Sequence, residues 1–513
     1  MTGPVAAVER PRILHLAAGD PVAIVLRDVA AGEPVAQGVI AREAIPALHK
    51  VALRPIATGE TIAKYGQPIG LATCDIAVGE HVHVHNLAVA DLAREYRFGG
   101  AARETRFVPE AERATFRGFV REDGRVGTRN YVGIIASVNC SATVVHAIAA
   151  HFARTGLAAF PNVDGVAAFT YSGGCSIARG GEAYRVIERT LAGYAVSPNL
   201  GAVLLVGLGC EAMQIALLKE DFDLAESPRF RSFAIQDEGG TRRAIAEGIA
   251  AVEAMLPVAD AARRTTVPAS ALTVGLQCGG SDALSGITAN PALGVAIDML
   301  VAQGGTAILS ETTELYGAEH LLVDRAPDPG VGQALLDRIA WWKDYTARNG
   351  ETIDSNPSPG NKAGGITTIL EKSLGAQAKG GSTNLNAVYE YAEPVTARGL
   401  VVMDSPGYDP VSATGQVASG ANLIAFTTGR GSAFGAKPVP SMKLATNTAL
   451  FERMRDDMDI NCGDIVDGAM SIDRKGAEIF AEFLAVASGK RTASEELGYG
   501  DHEFVPWNVG ATT

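Results

Sequence analysis

Apolar residues along this chain follow two rhythms. Between residues 12 and 95, short runs (ILHL, AIVL, KVALRPI, IGLA, HVHVHN) alternate with the turn-bearing stretches AGD, AGE, ATGE and AVGE. Runs this short between turn signals predict a small all-β domain. Residues 96–116, which include RFGGAARETRFVPEAERAT, are charged and weakly periodic and read as a linker. From residue 117 the apolar runs lengthen: YVGIIAS (131–137), GVAAFTY (165–171), AVLLVGL (202–208), RSFAIQ (231–236), LTVGLQ (272–277), GTAILS (305–310), GLVVMD (399–404) and NLIAFTT (422–428). Stretches of helical period lie between them, namely AIAAHFARTG, EAYRVIERTLAGY, TRRAIAEGIAAVEAML and ALGVAIDMLVAQGG. This alternation predicts α/β domains with parallel sheets covered on both faces. A break at PVADAARRTTVPAS (257–270) divides the region into units at 117–262 and 263–513.

The strand ends carry the chemistry. Successive strands are followed by VNCSA, SGGCS, GCEA, CGGSD, ETTE, SPGYD and GRGSAFG, and ligands of open parallel sheets bind outside the carboxyl ends of the strands. Cys140, Cys175, Cys210 and Cys278 lie in these loops. Packing as a small hydrophobe accounts for any one of them. Four at equivalent positions point to iron, as a mononuclear site or a labile cluster. No CxxC spacing supports structural zinc. Glu211, Asp282, Glu311, Glu314, Asp404 and Asp409 are strand-end acids, with Glu311 and Glu314 the closest pair. They suit a divalent cation, or alternatively cap the following helices.

Three Gly-rich segments, DGRVGTRN (123–130), NPSPGNKAGG (356–365) and TTGRGSAFG (427–435), combine backbone donors with Arg or Lys as anion nests do. None is a nucleotide fingerprint. In the β unit His81, His83 and His85 alternate, so a strand would set all three on one face for metal or anion contact. A solvated strand face is the alternative. His49-Lys50 and Lys64-Tyr65 are further polar candidates, and His15 reads as structural.

Composition narrows the function classes. The 513 residues carry a formal net charge of −13 without a long basic block, which disfavours nucleic acid as a partner and leaves room for an anionic substrate in a locally basic pocket. No uncharged run of about 18 apolar residues occurs, so no membrane partner is expected. The amino-terminal MTGPVAAVERPRILHL lacks the pattern of a signal peptide. With six scattered cysteines and no disulfide framework, a cytoplasmic protein is expected. A chain of this size with α/β surfaces suggests a homodimer.

The motifs HKVAL (49–53), KYGQPIG (64–70), GEHVHVHN (79–86), DGRVGTRN (123–130), GLGCE (207–211), CGGSDALSGITANPALG (278–294), NPSPGNKAGGITT (356–368) and FTTGRG (426–431) resemble the altronate/galactarate dehydratase family, and the likeness runs from about residue 12 to 510. The resemblance implies a β-clip (SAF-type) domain followed by α/β domains with Rossmann-like sheets, the unit at 117–262 a candidate for dimerisation and that at 263–513 catalytic. It implies a hydro-lyase dependent on a divalent metal, Fe²⁺ foremost with Mn²⁺ as a substitute, and an iron–sulfur cluster as the alternative. GEHVHVHN is similar to the altronate branch, whereas SVNCSA and TGQVASG (414–420) are at least as similar to the galactarate branch. A related branch acting on sulfolactate has a split small subunit, against the fused domain here.

In such a reaction a metal chelating the carboxylate and α-hydroxyl of a sugar acid stabilises the enediolate formed when a base takes the α-proton. An acid protonates the departing β-hydroxyl, and the enol ketonises to a 2-keto-3-deoxy acid. His49, Lys50, His83 and His85 are candidates for base and acid. Arg125, Arg129, Asn130, Asn361, Lys362 and Arg430 are candidates for binding substrate carboxylate and hydroxyls. Cys140, Cys175, Cys210, Cys278, Glu311 and Glu314 are candidates for the metal. A sugar-acid binding protein without turnover is the non-enzymatic alternative.

Overall fold

Strand Val22–Val25 is buried along its whole length because both of its faces are used. Val22 packs with Ile62, Ile69 and Val82 in one apolar cluster. Ala23 and Val25 point the other way, into a second cluster with Val35, Val39 and Val51, as the period-two geometry of a strand requires. The computed structural model describes residues 13–90 and 94–510. Residues 1–12 of the stretch read for a targeting signal, MTGPVAAVERPRILHL, and residues 91–93 at the end of the β unit lie outside the described residues. The β domain consists of small antiparallel sheets, one ordered Ile13–Leu14, Val22–Val25, Lys50–Ala52, His81–Val82 and another ordered Thr61–Lys64, Gln67–Ala72, Leu87–Ala88.

Two α/β domains follow, as expected. The first holds a four-stranded parallel sheet ordered Gly165–Phe169, Tyr131–Ala136, Leu200–Gly207, Phe230–Ala234. The second holds a seven-stranded parallel sheet ordered Leu385–Tyr389, Gly399–Met403, Thr306–Leu309, Thr273–Cys278, Leu423–Thr428, Ser441–Ala445, Ile460–Asn461. All eight apolar runs singled out above fall on these strands. The two sheets share a core: Ile135, Val203 and Leu205 of the first lie in one buried cluster with Val401, Ile424 and Phe426 of the second.

The connecting segments are more structured than their composition suggests. Residues 96–116 are an ordered strap along the last domain, where Gly99 N donates to Val323 O (3.3 Å), Ala101 N to Asp324 O (2.8 Å) and Val108 N to Ala302 O (2.8 Å). The break at 257–270 is equally tied down. Pro257 lies inside helix Thr241–Asp260. Strand Arg264–Pro268 pairs antiparallel with Thr115–Val120, which also pairs with Val126–Gly127. Unpaired backbone at such a junction would be costly if buried, so the connection forms a third small sheet.

The β domain is fastened to the last domain by a buried ion cluster. Glu371, on helix Ile369–Gln377, accepts from Lys50 Nζ at 2.9 Å and Lys64 Nζ at 2.9 Å, and from Thr367 N at 2.9 Å and Thr367 Oγ1 at 2.6 Å. Lys50 also donates to Gly365 O at 2.7 Å. Burial opposes the charge on Glu371, but the two ammonium groups outweigh it and hold the carboxyl well below the usual carboxylate range. Removing one partner from such a cluster strands charge in the interior at a cost of roughly 3–5 kcal/mol, whereas replacing the whole cluster by apolar groups of similar volume is far cheaper. Glu371→Ala is therefore expected to lower the denaturant midpoint sharply and speed proteolytic release of the β domain. The combined Lys50→Met, Lys64→Met, Glu371→Leu variant is expected to lie close to wild type. A triple variant less stable than Glu371→Ala would contradict this account.

Candidate functional site

In the seven-stranded sheet the chain leaves strand Thr273–Cys278 toward Thr306–Leu309 on one side and returns beside it at Leu423–Thr428 on the other. That reversal opens a crevice at the carboxyl ends, where open α/β sheets bind ligands. Cys278 ends the first strand and is followed by two glycines with steric duties. A Cβ on Gly279 would lie 2.2 Å from Asp409 Oδ2. Gly280 has φ +60°, and its carbonyl accepts from Gly429 N at 3.1 Å and Arg430 N at 2.9 Å. On the other side Glu311 adopts φ 64° while fully buried. A bulky residue in the left-handed region is strained, and such strain collects at functional sites.

The side chains that meet here form a compensated charge network. Ligand atoms of Cys278, Glu311 and Glu314 all lie within 4.8 Å of one another. Lys379 Nζ stands 2.8 Å from Cys278 Sγ and 3.2 Å from Glu311 Oε2. Lys372 Nζ donates to Glu314 Oε1 at 2.7 Å and to Asn356 Oδ1 at 2.8 Å, and Asn356 Nδ2 donates to Glu314 Oε1 at 2.7 Å. Burial, reinforced by Glu314, pushes the Glu311 carboxyl up to about 8. Burial also opposes ionisation of Glu314, but Lys372 and Lys379 prevail and hold it below its ordinary value. Burial pushes the Cys278 thiol up to about 12, and burial together with Glu314 pushes Asp409 up to about 6. A cleft of about 240 Å³ opens on this network, lined among others by Gly279, Gly280, Glu314, Asn356, Lys372 and Asp409.

The histidines gather on the β domain. The strand expected to carry HVHVH ends at Val82. His83 N donates to Asn86 Oδ1 (2.9 Å) and Asn86 N to His83 O (3.0 Å), so the Asn86 side chain turns the chain instead. The rings cluster nonetheless. His49 Nδ1 is 2.9 Å from His81 Nε2, and the His49 and His83 ring centroids are 4.4 Å apart. Ligand atoms of His49, His81 and His83 lie within 4.8 Å of one another, whereas His85 is exposed beside His81. His49 Nε2 contacts Ala363 O at 3.3 Å, which sets the cluster against the segment that also supplies Asn361 to the cleft.

Several residues singled out from the sequence lie elsewhere. Arg129 is buried as a structural tie, pairing with Glu495 at 2.6 Å and donating to the carbonyls of Thr128, Val486 and Lys490. Asn130 holds Asn162 O and Ala259 O. Arg125 pairs with Asp123 beside a cavity of about 500 Å³ at the opposite, amino-terminal edges of Thr273 and Thr306. Asn361, by contrast, does line the cleft, where it caps its own helix with Ser358 and donates to Ser281 O at 2.9 Å. Lys362 is half-buried and Arg430 exposed. Cys140, Cys175 and Cys210 belong to the middle domain, away from Cys278. Lys372, Lys379 and Asn356 were not among the candidates. Lys372 lies on helix Ile369–Gln377 and Lys379 on the 3-10 turn Ala378–Gly380 that continues it, and their seven-residue spacing in ILEKSLGAQAKGG is the signal that links them.

The network carries a pH signature. Between the ordinary glutamate range near pH 4 and about pH 8, the folded chain retains a proton at Glu311 that the unfolded chain has lost. Stability from this group is therefore full at low pH and declines as pH rises, by about 1.4 kcal/mol per pH unit for one proton. Glu311→Gln, which mimics the protonated form, is expected to flatten that slope in melting curves recorded from pH 5 to 8. Parallel slopes for the two proteins would count against a neutral Glu311.

Comparison with known proteins bears on what this site does. Family models match three successive regions: "Altronate/galactarate dehydratase SAF domain" over residues 11–90, "D-galactarate dehydratase/Altronate hydrolase, second domain" over 118–260, and "D-galactarate/Altronate dehydratase, C-terminal" over 269–512. The chain is 36% identical to altronate dehydratase of Bacillus subtilis, across 93% of this chain and 95% of that protein. It is 39% identical to the L-threo-forming galactarate dehydratase of Escherichia coli, across 93% of each. It is 35% identical to the altronate dehydratase of Escherichia coli, across 96% of this chain and 98% of that protein.

Proposed function

This chain belongs to the D-galactarate/altronate dehydratase family and is a hydro-lyase, and from that premise we propose that it removes water from altronate in the cleft at the end of strand Thr273–Cys278. The observation that carries this reading is the pairing inside the cleft of cations with carboxyls of separated acidity. Lys372, which lines the cleft, offers a donor for a substrate carboxylate. Asp409, pushed up to about 6 by burial and Glu314, is tuned to take a proton near neutral pH. Glu311 keeps its proton, and Lys379 bridges it to Cys278. Two carboxyls with acidities pushed apart are a recurring means of running acid and base steps in one site. The α-proton goes to Asp409, the β-hydroxyl leaves as water with a proton delivered through the Glu311–Lys379 network, and the enol ketonises to the 2-keto-3-deoxy acid.

His49, His81 and His83 are the residues suited to a divalent metal, Fe²⁺ first and Mn²⁺ in its place. They supply neutral nitrogen ligands, and His83 Nδ1 is a buried atom without a hydrogen-bond partner. Cys278, Glu311 and Glu314 fit less well, since Lys379 and Lys372 already stand at those atoms. When bound, the ion supplies Lewis-acid polarisation of a carboxylate or hydroxyl. Galactarate is the second reading, favoured by the 39% identity to the galactarate enzyme.

A panel of hexonates and hexarates, assayed anaerobically for 2-keto-3-deoxy products with added Fe²⁺, tests the reading. Altronate is expected to turn over fastest. Chelation should abolish the rate and Fe²⁺ or Mn²⁺ restore it. Asp409→Asn should lower kcat by about 10²–10⁴-fold and suppress exchange of the α-proton with solvent. Full turnover after exhaustive metal removal, or product formation undiminished in Asp409→Asn, would overturn the respective part.

A further inference from the structure

The middle domain has its own strand-end cluster, which the dehydration chemistry leaves unused. Cys175, Cys140 and Cys210 follow three neighbouring parallel strands, Gly165–Phe169, Tyr131–Ala136 and Leu200–Gly207. All three are free and exposed, unlike the buried position usual for a cysteine that only packs. Their loops are stitched together. Asn139 N donates to Gly173 O at 2.9 Å, Asn139 Nδ2 to Tyr171 O at 3.0 Å, and Met213 N to Gly174 O at 3.2 Å. Tyr171 Oη donates to Ser137 O at 2.6 Å and Ser137 Oγ to Glu211 Oε1 at 2.8 Å. Gly174, at φ +94°, allows this closeness, since a Cβ there would lie 2.5 Å from Ser137 O. Backbone bonds thus run from the neighbour of Cys140 to the neighbours of Cys175 and on to the Cys210 loop.

We propose that Cys140, Cys175 and Cys210 bind an iron–sulfur cluster on the middle domain. Soft thiolates select zinc, cuprous copper or such clusters. A single ion, with metal–sulfur bonds of about 2.3 Å, needs its sulfurs roughly 4 Å apart. Among the described residues, the groups whose ligand atoms lie within 4.8 Å of one another are the histidine set and the Cys278 set, and these thiols form no such group. A multi-iron cluster carries each thiolate on a different iron and does not require that spacing. Glu211, the carboxylate next to Cys210, is already occupied by Ser137 Oγ, Leu208 N and Gly209 N and is not free to complete a zinc site. Gln236 Nε2 donates to Cys210 Sγ at 3.5 Å, the kind of contact that tunes a cluster. Binding exchanges three thiol protons for three iron–sulfur bonds, and a four-iron cluster assembles from ferrous and ferric iron in equal amounts with sulfide, without net electron transfer. Three protein ligands leave one iron of a four-iron cluster open to a small oxygen-bearing molecule.

The test uses the full chain purified anaerobically and reconstituted with ferrous and ferric iron in equal amounts and sulfide. The expected product is brown and binds about four irons and four sulfides per chain, with Cys140, Cys175 and Cys210 protected from alkylation. Cys140→Ser, Cys175→Ser and Cys210→Ser should each lose most of the sulfide while keeping a wild-type circular dichroism spectrum. Cys74→Ser, at an exposed cysteine of the β domain, should retain it. Iron or zinc bound without sulfide, no protection of the three thiols, or equal loss in Cys74→Ser would overturn the proposal. Because the histidines and the cleft take no part, His83→Asn is expected to keep full cluster content while losing altronate turnover. Turnover without a cluster would sink the cluster alone, and a cluster without turnover would sink the dehydratase reading alone.

Discussion

The arrangement depends on one short buried helix, Ile369–Gln377, carrying charge in two directions. Successive residues of a helix point about 100° apart. Glu371 therefore faces the β domain, where it meets Lys50 and Lys64, while Lys372 faces the crevice and Glu314. Every one of these groups is buried, and buried charge survives only when paired. Placing the β domain and setting the electrostatics of the cleft are consequently one problem. Loss of the Lys50 and Lys64 pairing would leave Glu371 uncompensated beside the residue that holds Glu314.

The same constraint explains how an acidic chain offers a site for an acid. Lys372 and Lys379 face a single firmly ionised carboxylate, Glu314, because burial keeps Glu311 and Cys278 protonated. Asp409, intermediate between these extremes, responds to whatever charge enters the cleft. The net charge of −13 counts every ionisable residue of the chain, whereas the potential felt by a substrate is set by a few groups within Coulomb range in a medium of low dielectric.

The strands were legible because a sheet buried on both faces needs continuous apolar runs. Within the seven-stranded sheet, the strands that the apolar pattern does not mark are Leu385–Tyr389, Ser441–Ala445 and Ile460–Asn461. They include polar residues such as Asn386, Lys443 and Asn461, and lie toward the two edges of the seven-stranded sheet. The β domain was legible from its turns. Its histidine ladder was misread in conformation because Asn86, a residue that competes with the ladder for backbone bonds, turns the chain after Val82. Cys278, Glu311 and Glu314 were found from strand ends alone. Lys372 and Lys379 were not, because a lysine in an apolar helix reads as a solvated face until the tertiary structure closes over it.

Topological equivalence did not bring chemical equivalence. Cys140, Cys175, Cys210 and Cys278 all follow parallel strands, and a pattern of strand ends cannot distinguish them. What separates them is cover. Around Cys278 the β domain and helix Ile369–Gln377 exclude water, so burial holds the thiol neutral and Lys379 can stand against it. The other three cysteines remain exposed on the middle sheet. A thiol serves as a ligand only when it can lose its proton, and desolvation opposes that loss. The buried cysteine is thereby suited to a proton network, and the three exposed ones escape that constraint, a difference that follows from where the β domain docks.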